Sequence, residues 1–316
     1  MSLPEERADG LLFVADPHLA GTPPGQRLPG YPRQVLHKVG QCLKIARDKN
    51  LLPVFLGDLF HWPRENPNWL LVELMDLFRP FRPYALIGNH DKFQARLTDD
   101  CSICVLEAAG VIRLLKEGGP AFRIVTPQGA AVLGASPDGT PVPESFDRSA
   151  LDADDQVLWV THHNVNFPDF PDKKVQSREI PGVDWVINGH IHRPQPTLQA
   201  GATRWSNPGN IVRLTFSSKS LERRPAIHIW RLGMEDLERV ELEYLPFYDV
   251  FPQQDFPDET GGTDEQSGFL EGLQRLAWKR TREGAGLKQF LSDNLQPGLA
   301  ESALVWKLYN EVIADE

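Results

Sequence analysis

The sequence predicts an α/β fold, a sandwich of mixed β-sheets with helices outside, followed by a small helical module at the C-terminus. Three observations carry that expectation. Short β-rich runs recur through the first 250 residues, amphipathic helical stretches lie between them, and several runs end in a polar cluster. Alternating strand, helix and strand is the pattern of a layered α/β domain.

Residues 11–15, 53–56, 84–87, 157–160 and 184–187 are apolar runs closed by Asp16, Gly57, Gly88, Thr161 and Asn188. They read as buried strands delivering polar residues at their C-terminal ends. Between the first two, residues 34–47 place Val35, Leu36, Val39, Cys42, Leu43 and Ala46 at helical spacing. Residues 67–77 and 102–109 predict two further helices, the second stopped by Gly110 as a C-terminal cap. Past Gly189, residues 204–205, 211–216, 226–231 and 239–244 read as strands. The α/β domain is thus expected over residues 1–250. Residues 251–268 carry five acidic and no basic side chains among prolines and glycines, which is a linker composition. Residues 269–316 read as a helical module. Phe269, Leu270, Leu273, Leu276 and Ala277 form one apolar face, and a last helix is expected over residues 299–313.

With 316 residues, 41% hydrophobic and 24% charged, the chain can bury a substantial core and is neither disordered nor fibrous in composition. No stretch has the roughly 20 apolar residues of a membrane span, and the first residues show no secretory signal pattern, so a cytoplasmic protein with no membrane partner is expected. Cys42, Cys101 and Cys104 are too few for a disulfide framework, and one Cys-x-x-Cys lacks the second pair of a structural zinc site. The formal charge of −10 argues against holding a polyanion through overall charge, and leaves local basic patches or a metal site to do so.

Seven of the nine histidines fall in five short clusters: Asp16-Pro17-His18, Gly57-Asp58-Leu59-Phe60-His61, Gly88-Asn89-His90-Asp91, Thr161-His162-His163-Asn164 and Gly189-His190-Ile191-His192. Any one of them alone reads as a turn. Five in series at strand ends form a set. Residues two apart on an extended strand end face the same side, so Asp16 and His18, or His190 and His192, can converge on one ion. Carboxylate oxygen and imidazole nitrogen without thiolate suit Mn, Fe or Zn, and the number of imidazoles disfavours an all-oxygen Mg or Ca cage.

These clusters resemble the motifs of the calcineurin-like metallophosphoesterase superfamily, matched by residues 16–18, 57–58, 88–91, 162 and 189–192. The resemblance covers about residues 11–250 and implies a four-layer sandwich, two mixed sheets flanked by helices. It also implies two divalent ions, Mn first with Fe, Zn or Mg as alternatives. Asp16, His18, Asp58 and His192 would surround one ion, and Asp58, Asn89, His162 and His190 the other. Such a pair activates water, clamps phosphate and offsets charge in the transition state. His90 would be the acid assisting the leaving oxygen, with Asp91 orienting its ring.

Substrate class is a separate question, and three features lean towards DNA. The second cluster resembles that of SbcD-type double-strand-break repair nucleases, in which the residue matching His61 helps place the phosphate. Residues 205–214, with Asn207 and Arg213, resemble the loop and strand after the last histidine pair in that branch, although Asn210 stands where serine is more usual. Lys173, Lys174 and Arg193 add positive charge beside the metal clusters. The expected function is therefore a metal-dependent phosphodiesterase, a nuclease of DNA repair or recombination, with a nucleotide-scale phosphodiesterase or phosphatase as the alternative. The SbcD-type resemblance further implies that the C-terminal helices dock on an SMC-like ATPase, while packing on the catalytic domain or homodimerisation are equally compatible with their pattern.

Overall fold

The computed structural model describes residues 3–152, 154–170 and 174–254, and beyond them residues 256, 291, 295, 302–307 and 309. Two compact units, Met1–Gln254 and Asp255–Glu316, divide the chain. In the second, residues 302–307 and 309 are helical. Of the linker expected over residues 251–268, residues 251–254 belong instead to the first unit, where the Phe251 side chain is fully buried; residues 257–268 and most of the expected helices lie outside the described residues, as does Lys173.

The first unit begins with β1 (Glu5–Arg7) and β2 (Gly10–Val14), then α1 (Tyr31–Asp48), β3 (Leu51–Phe55), α2 (Asn68–Phe78), β4 (Tyr84–Leu86), α3 (Ser102–Ala108) and β5 (Arg113–Leu115). A β-hairpin of β6 (Gly119–Thr126) and β7 (Gly129–Ser136) follows, then β8 (Gln156–Thr161) and the two-residue strands β9 (Val165–Asn166) and β10 (Val175–Gln176). The unit continues through β11 (Trp185–Asn188), β12 (Gln195–Ala200), β13 (Thr203–Asn207), the short α4 (Ser218–Leu221), β14 (Ala226–Trp230) and β15 (Glu238–Glu241). No helix among the described residues is long and apolar enough to cross a membrane.

Two mixed sheets result. One has six strands in the order β15-β14-β2-β3-β4-β5, the other seven in the order β1-β6-β7-β8-β11-β13-β12. Strands β2 to β5 are mutually parallel, as are β7, β8, β11 and β13. Such strands are buried on both faces, which is why their sequences are continuous apolar runs.

The two-residue period sorts those runs into three cores. Leu11, Phe13, Val54, Leu86, Leu133, Leu158 and Val160 fill the space between the sheets. Leu12, Val14 and Phe55 point the other way, onto Val35, Val39 and Leu43 of α1 and Leu70 and Leu74 of α2. On the far side of the seven-stranded sheet, Val157, Trp159, Val186 and Trp205 pack against Val165, Phe167, Ile180 and Val183. The outer layer on that side is thus made largely of loops and the β9–β10 ribbon. Leu158 is fully buried between the sheets, and Leu158→Ala is expected to lower the unfolding free energy by about 2–5 kcal/mol. Denaturant unfolding measures that loss.

The helices end where local chemistry dictates. Pro32 stands in the first turn of α1, where its missing N–H is harmless. Gly110, at φ 70°, closes α3 as its N–H bonds the Glu107 carbonyl and the Val111 N–H bonds the Leu106 carbonyl. One expected strand is absent. Residues 211–216 are irregular, because the carbonyls of Asn210 and Val212, which a neighbouring strand would use, accept instead from the Arg223 guanidinium.

Candidate metal centre

The five clusters lie at the C-terminal ends of β2, β3, β4, β8 and β11, so the sandwich brings them to one edge. The backbone leaves each strand sharply. Asp16, His18, Asp58 and His190 all have positive φ, at 44°, 48°, 48° and 71°. Non-glycine residues adopt this conformation at a cost of order 1–3 kcal/mol, and such outliers concentrate at functional sites.

Gly57 and Gly88 make room for the cluster. A Cβ at Gly57, whose φ is 98°, would overlap the His162 ring, and one at Gly88 would overlap the Asp58 carboxylate. Gly57→Ala is therefore expected to displace His162 and to weaken metal retention by an order of magnitude or more, on the scale of lost supporting residues. Metal analysis after dialysis, with circular dichroism for the fold, checks it.

The side chains converge in overlapping groups. Asp16, His18, Asp58 and His192 place one potential ligand atom each within 4.8 Å of one another, as do Asp58, His162 and His190, and also His18, His61 and His90. Asn89 joins the second group, its Oδ1 lying 3.2 Å from His162 Nε2 and 2.9 Å from His190 Nδ1. Asp58 belongs to both, with Oδ2 3.7 Å from His18 Nε2 and Oδ1 3.3 Å from His162 Nε2.

Hydrogen bonds from behind fix the rings. His162 Nδ1 donates to the Leu56 carbonyl at 2.7 Å, which points its Nε2 at Asp58 and Asn89. His90 Nδ1 donates to the His61 carbonyl at 2.9 Å, and the His90 N–H donates to Asp58 Oδ1 at 2.8 Å. Asp91, expected to orient the His90 ring, uses its two oxygens otherwise. They accept the Phe60 N–H at 3.2 Å and the Gly88 N–H at 2.9 Å, tying the β3 and β4 loops together. The His61 main chain holds His90 in its place.

Burial and mutual proximity set the charges. Burial, reinforced by Asp58, pushes the Asp16 carboxyl up to about 7. Burial also opposes ionisation of Asp58, but the imidazoles of His162, His90 and His18 outweigh it and hold that carboxyl well below its usual range. For His162, burial is outweighed by Asp58 and Asp16, which raise it to about 10. Burial pulls His61 and His192 down to about 3 and His190 to about 4. Neutral imidazoles of this kind are the form that binds a metal.

Residues 11–194 match the family model of the calcineurin-like phosphoesterases. The chain belongs to that family. A search of curated proteins found no match. Among solved structures, the crystal structure of a hypothetical protein from Thermus thermophilus aligns with 77% of this chain and 99% of its own, at 14% identity and a TM-score of 0.41.

As a calcineurin-like phosphoesterase the chain is a metal-dependent hydrolase of phosphoesters, and its residues fit divalent metal ions. Asp16 Oδ2 is buried without a protein partner. His18 Nε2 and His192 Nε2 approach to 2.9 Å, as imidazole nitrogens do when a proton or a cation lies between them.

Two residues expected to hold the phosphoesterase's substrate have other work. Asn207 is 1% exposed; its amide donates to the Ile191 carbonyl at 2.8 Å and the Arg193 carbonyl at 3.0 Å, bracing the His190–His192 turn. Arg213 is 4% exposed, donates to the Leu245 carbonyl and lies over the Tyr244 and Phe247 rings. Arg193 and Lys174 are exposed, and Arg193 Nη2 is 3.7 Å from Asp169 Oδ2. His163 turns aside, its Nε2 donating to the Thr140 carbonyl at 2.8 Å.

The composition of the loops gave no sign of Arg223's part. Its guanidinium donates to the carbonyls of His192, Asn210 and Val212, joining the last histidine to the irregular segment behind it. Only the order of a basic residue after a buried, strand-like run hinted at it.

Proposed function

We propose that this phosphoesterase is a phosphodiesterase acting on nucleic acid, a DNA nuclease of repair or recombination, built on two divalent ions with Mn the first choice. Asp16, His18, Asp58 and His192 would hold one ion, and Asp58, Asn89, His162 and His190 the other. Bound ions of this kind supply Lewis-acid activation of water and phosphate. His90 keeps Nδ1–H on the His61 carbonyl, which frees Nε2 to carry the proton that the leaving oxygen takes up.

The observation that carries the nucleic-acid reading is the position of His61. Its ring stacks on His90 with centroids 5.2 Å apart, and its Nδ1 lies 3.3 Å from His18 Nδ1. If His18 gives Nε2 to an ion, its proton sits on Nδ1 and is donated to His61 Nδ1. His61 then carries its own proton on Nε2, a neutral donor suited to a phosphate oxygen.

His61→Ala is expected to lower kcat/KM on DNA by about tenfold more than on bis-p-nitrophenyl phosphate, the scale of one hydrogen bond to a charged group. Steady-state kinetics on both substrates test this, and equal losses would overturn the nuclease reading. One observation favours a nucleotide-scale substrate instead: with Asn207 and Arg213 buried, fewer side chains are left at the rim to grip a polymer. In the nuclease reading the enzyme is cytoplasmic and its C-terminal helices engage an SMC-like ATPase or a second copy of the chain.

A further inference from the structure

Away from the metal cluster, α1 and the chain following β15 enclose a cavity of about 440 Å³. Arg27, Lys38 and Arg213 line it together with Gln41, Glu243 and Tyr244. Arg27 is 9% exposed and Arg213 4%. Among the described residues, neither they nor Lys38 has a carboxylate at ion-pair distance; their hydrogen bonds go to neutral acceptors. Arg27 donates to the Arg213 carbonyl and Gln34 Oε1, both at 2.6 Å, and Lys38 donates to the Glu243 carbonyl at 2.7 Å.

Buried cations without a counter-charge are costly unless something compensates them. Burial drags Arg27 down to about 10 and Lys38 to about 8, and Arg213 adds to both. The Arg27 Nε and Gln41 Nε2 donors are buried with no acceptor. Glu243 also lines the cavity and meets Lys38 through its main-chain carbonyl, while Arg33 in the wall pairs with Glu73.

We propose that this cavity is a binding site for a nucleoside phosphate, with the phosphate against Arg27, Lys38 and Arg213 and the base against Tyr244. The volume is in the range of small-ligand sites and far exceeds what a bare phosphate needs. Guanidinium and ammonium groups supply the charge-assisted bonds a phosphate takes. Tyr244 is 41% exposed, with the Arg213 guanidinium 5.0 Å from its ring centre, and Leu245 and Val250 add an apolar wall for a base. The site is separate from the metal cluster and does not rest on the nuclease reading. It touches the cluster's support, however, because Arg27 lies over the Tyr31 ring and the Tyr31 hydroxyl donates to the His18 carbonyl at 2.7 Å.

Calorimetric titration of the full chain with AMP and with inorganic phosphate tests the proposal. A nucleotide also suits the metal centre as a product, so Asp58→Asn is titrated beside Lys38→Gln and Tyr244→Ala. Saturable AMP binding is expected, weakened about tenfold or more in Lys38→Gln and in Tyr244→Ala and kept in Asp58→Asn, with inorganic phosphate at least about tenfold weaker than AMP. Absence of saturable AMP binding would overturn the proposal. So would binding lost in Asp58→Asn but untouched in the other two variants, or phosphate binding as tight as AMP.

Discussion

Asp58→Asn is expected to lose bound metal and hydrolysis together. The carboxylate is 1% exposed and belongs to both ligand groups. Its charge also compensates the imidazoles of His18, His90 and His162. Asparagine has the same shape and still accepts the His90 N–H through Oδ1, so the loop is expected to keep its conformation. What disappears is the negative charge at the point shared by the two groups. Replacing a residue that only supports a ligand typically costs 10–100-fold in metal affinity, and this substitution is expected to exceed the upper end of that range. Metal analysis after dialysis, paired with hydrolysis of bis-p-nitrophenyl phosphate, measures both effects. Retention of metal and activity would remove Asp58 from its assigned place.

His90→Ala separates the chemistry from the metal. Asp16, His18, Asp58, Asn89, His162, His190 and His192 are untouched by it, so metal content is expected to equal that of the wild type. The proposed proton donor is gone, and removal of a positioned acid typically lowers the rate by about 10²–10⁴-fold. The loss is expected in kcat, with KM little changed. A variant that hydrolyses at the wild-type rate would show that His90 is not the acid, and one that loses metal would make it a structural element of the cluster.

Much of the site was legible because its polar clusters directly follow buried apolar strands, whose C-terminal ends lie along one edge. Asp16 and His18 do fall in one ligand group. His190 and His192, expected to meet on one ion, are divided between the two groups, because the chain leaves β2 and β11 through positive-φ turns where the strand period no longer holds. The helices α1, α2 and α3 and the parallel strands β2, β3, β4, β8 and β11 were legible because their apolar spacing is dictated by what they bury. Strand β6 carries the bulky side chains that mark a strand, in Phe122, Ile124, Val125 and Thr126, and was missed all the same, whereas β7 escaped notice because Gly129, Ala130, Ala131, Gly134 and Ala135 lack them. Its alanines and glycines are explained only across the sheet, where Gly134 lies against the Trp159 ring.

Residues 211–216 misled in the opposite direction, β-rich by composition but satisfied by Arg223 from farther along the chain. Asn207 and Arg213 showed the same limit. Their types suit a phosphate, yet burial turned both towards main-chain carbonyls. Asp91 was placed correctly beside the cluster, but its partners Phe60 N–H and Gly88 N–H depend on how two loops meet. Residue type and spacing identify ligands that share a strand end; hydrogen-bond partners brought together by tertiary packing leave no such trace.

The most direct measurement is a metal titration of hydrolysis on protein stripped by a chelator. Mn is added back to the wild type and to Asp58→Asn while hydrolysis of bis-p-nitrophenyl phosphate is followed and bound metal is counted. The wild type is expected to be inactive when stripped and to regain activity that saturates as two ions bind per chain, with no recovery in the variant. Hydrolysis that survives stripping, or full recovery in Asp58→Asn, would contradict a metal-dependent phosphoesterase centred on Asp58.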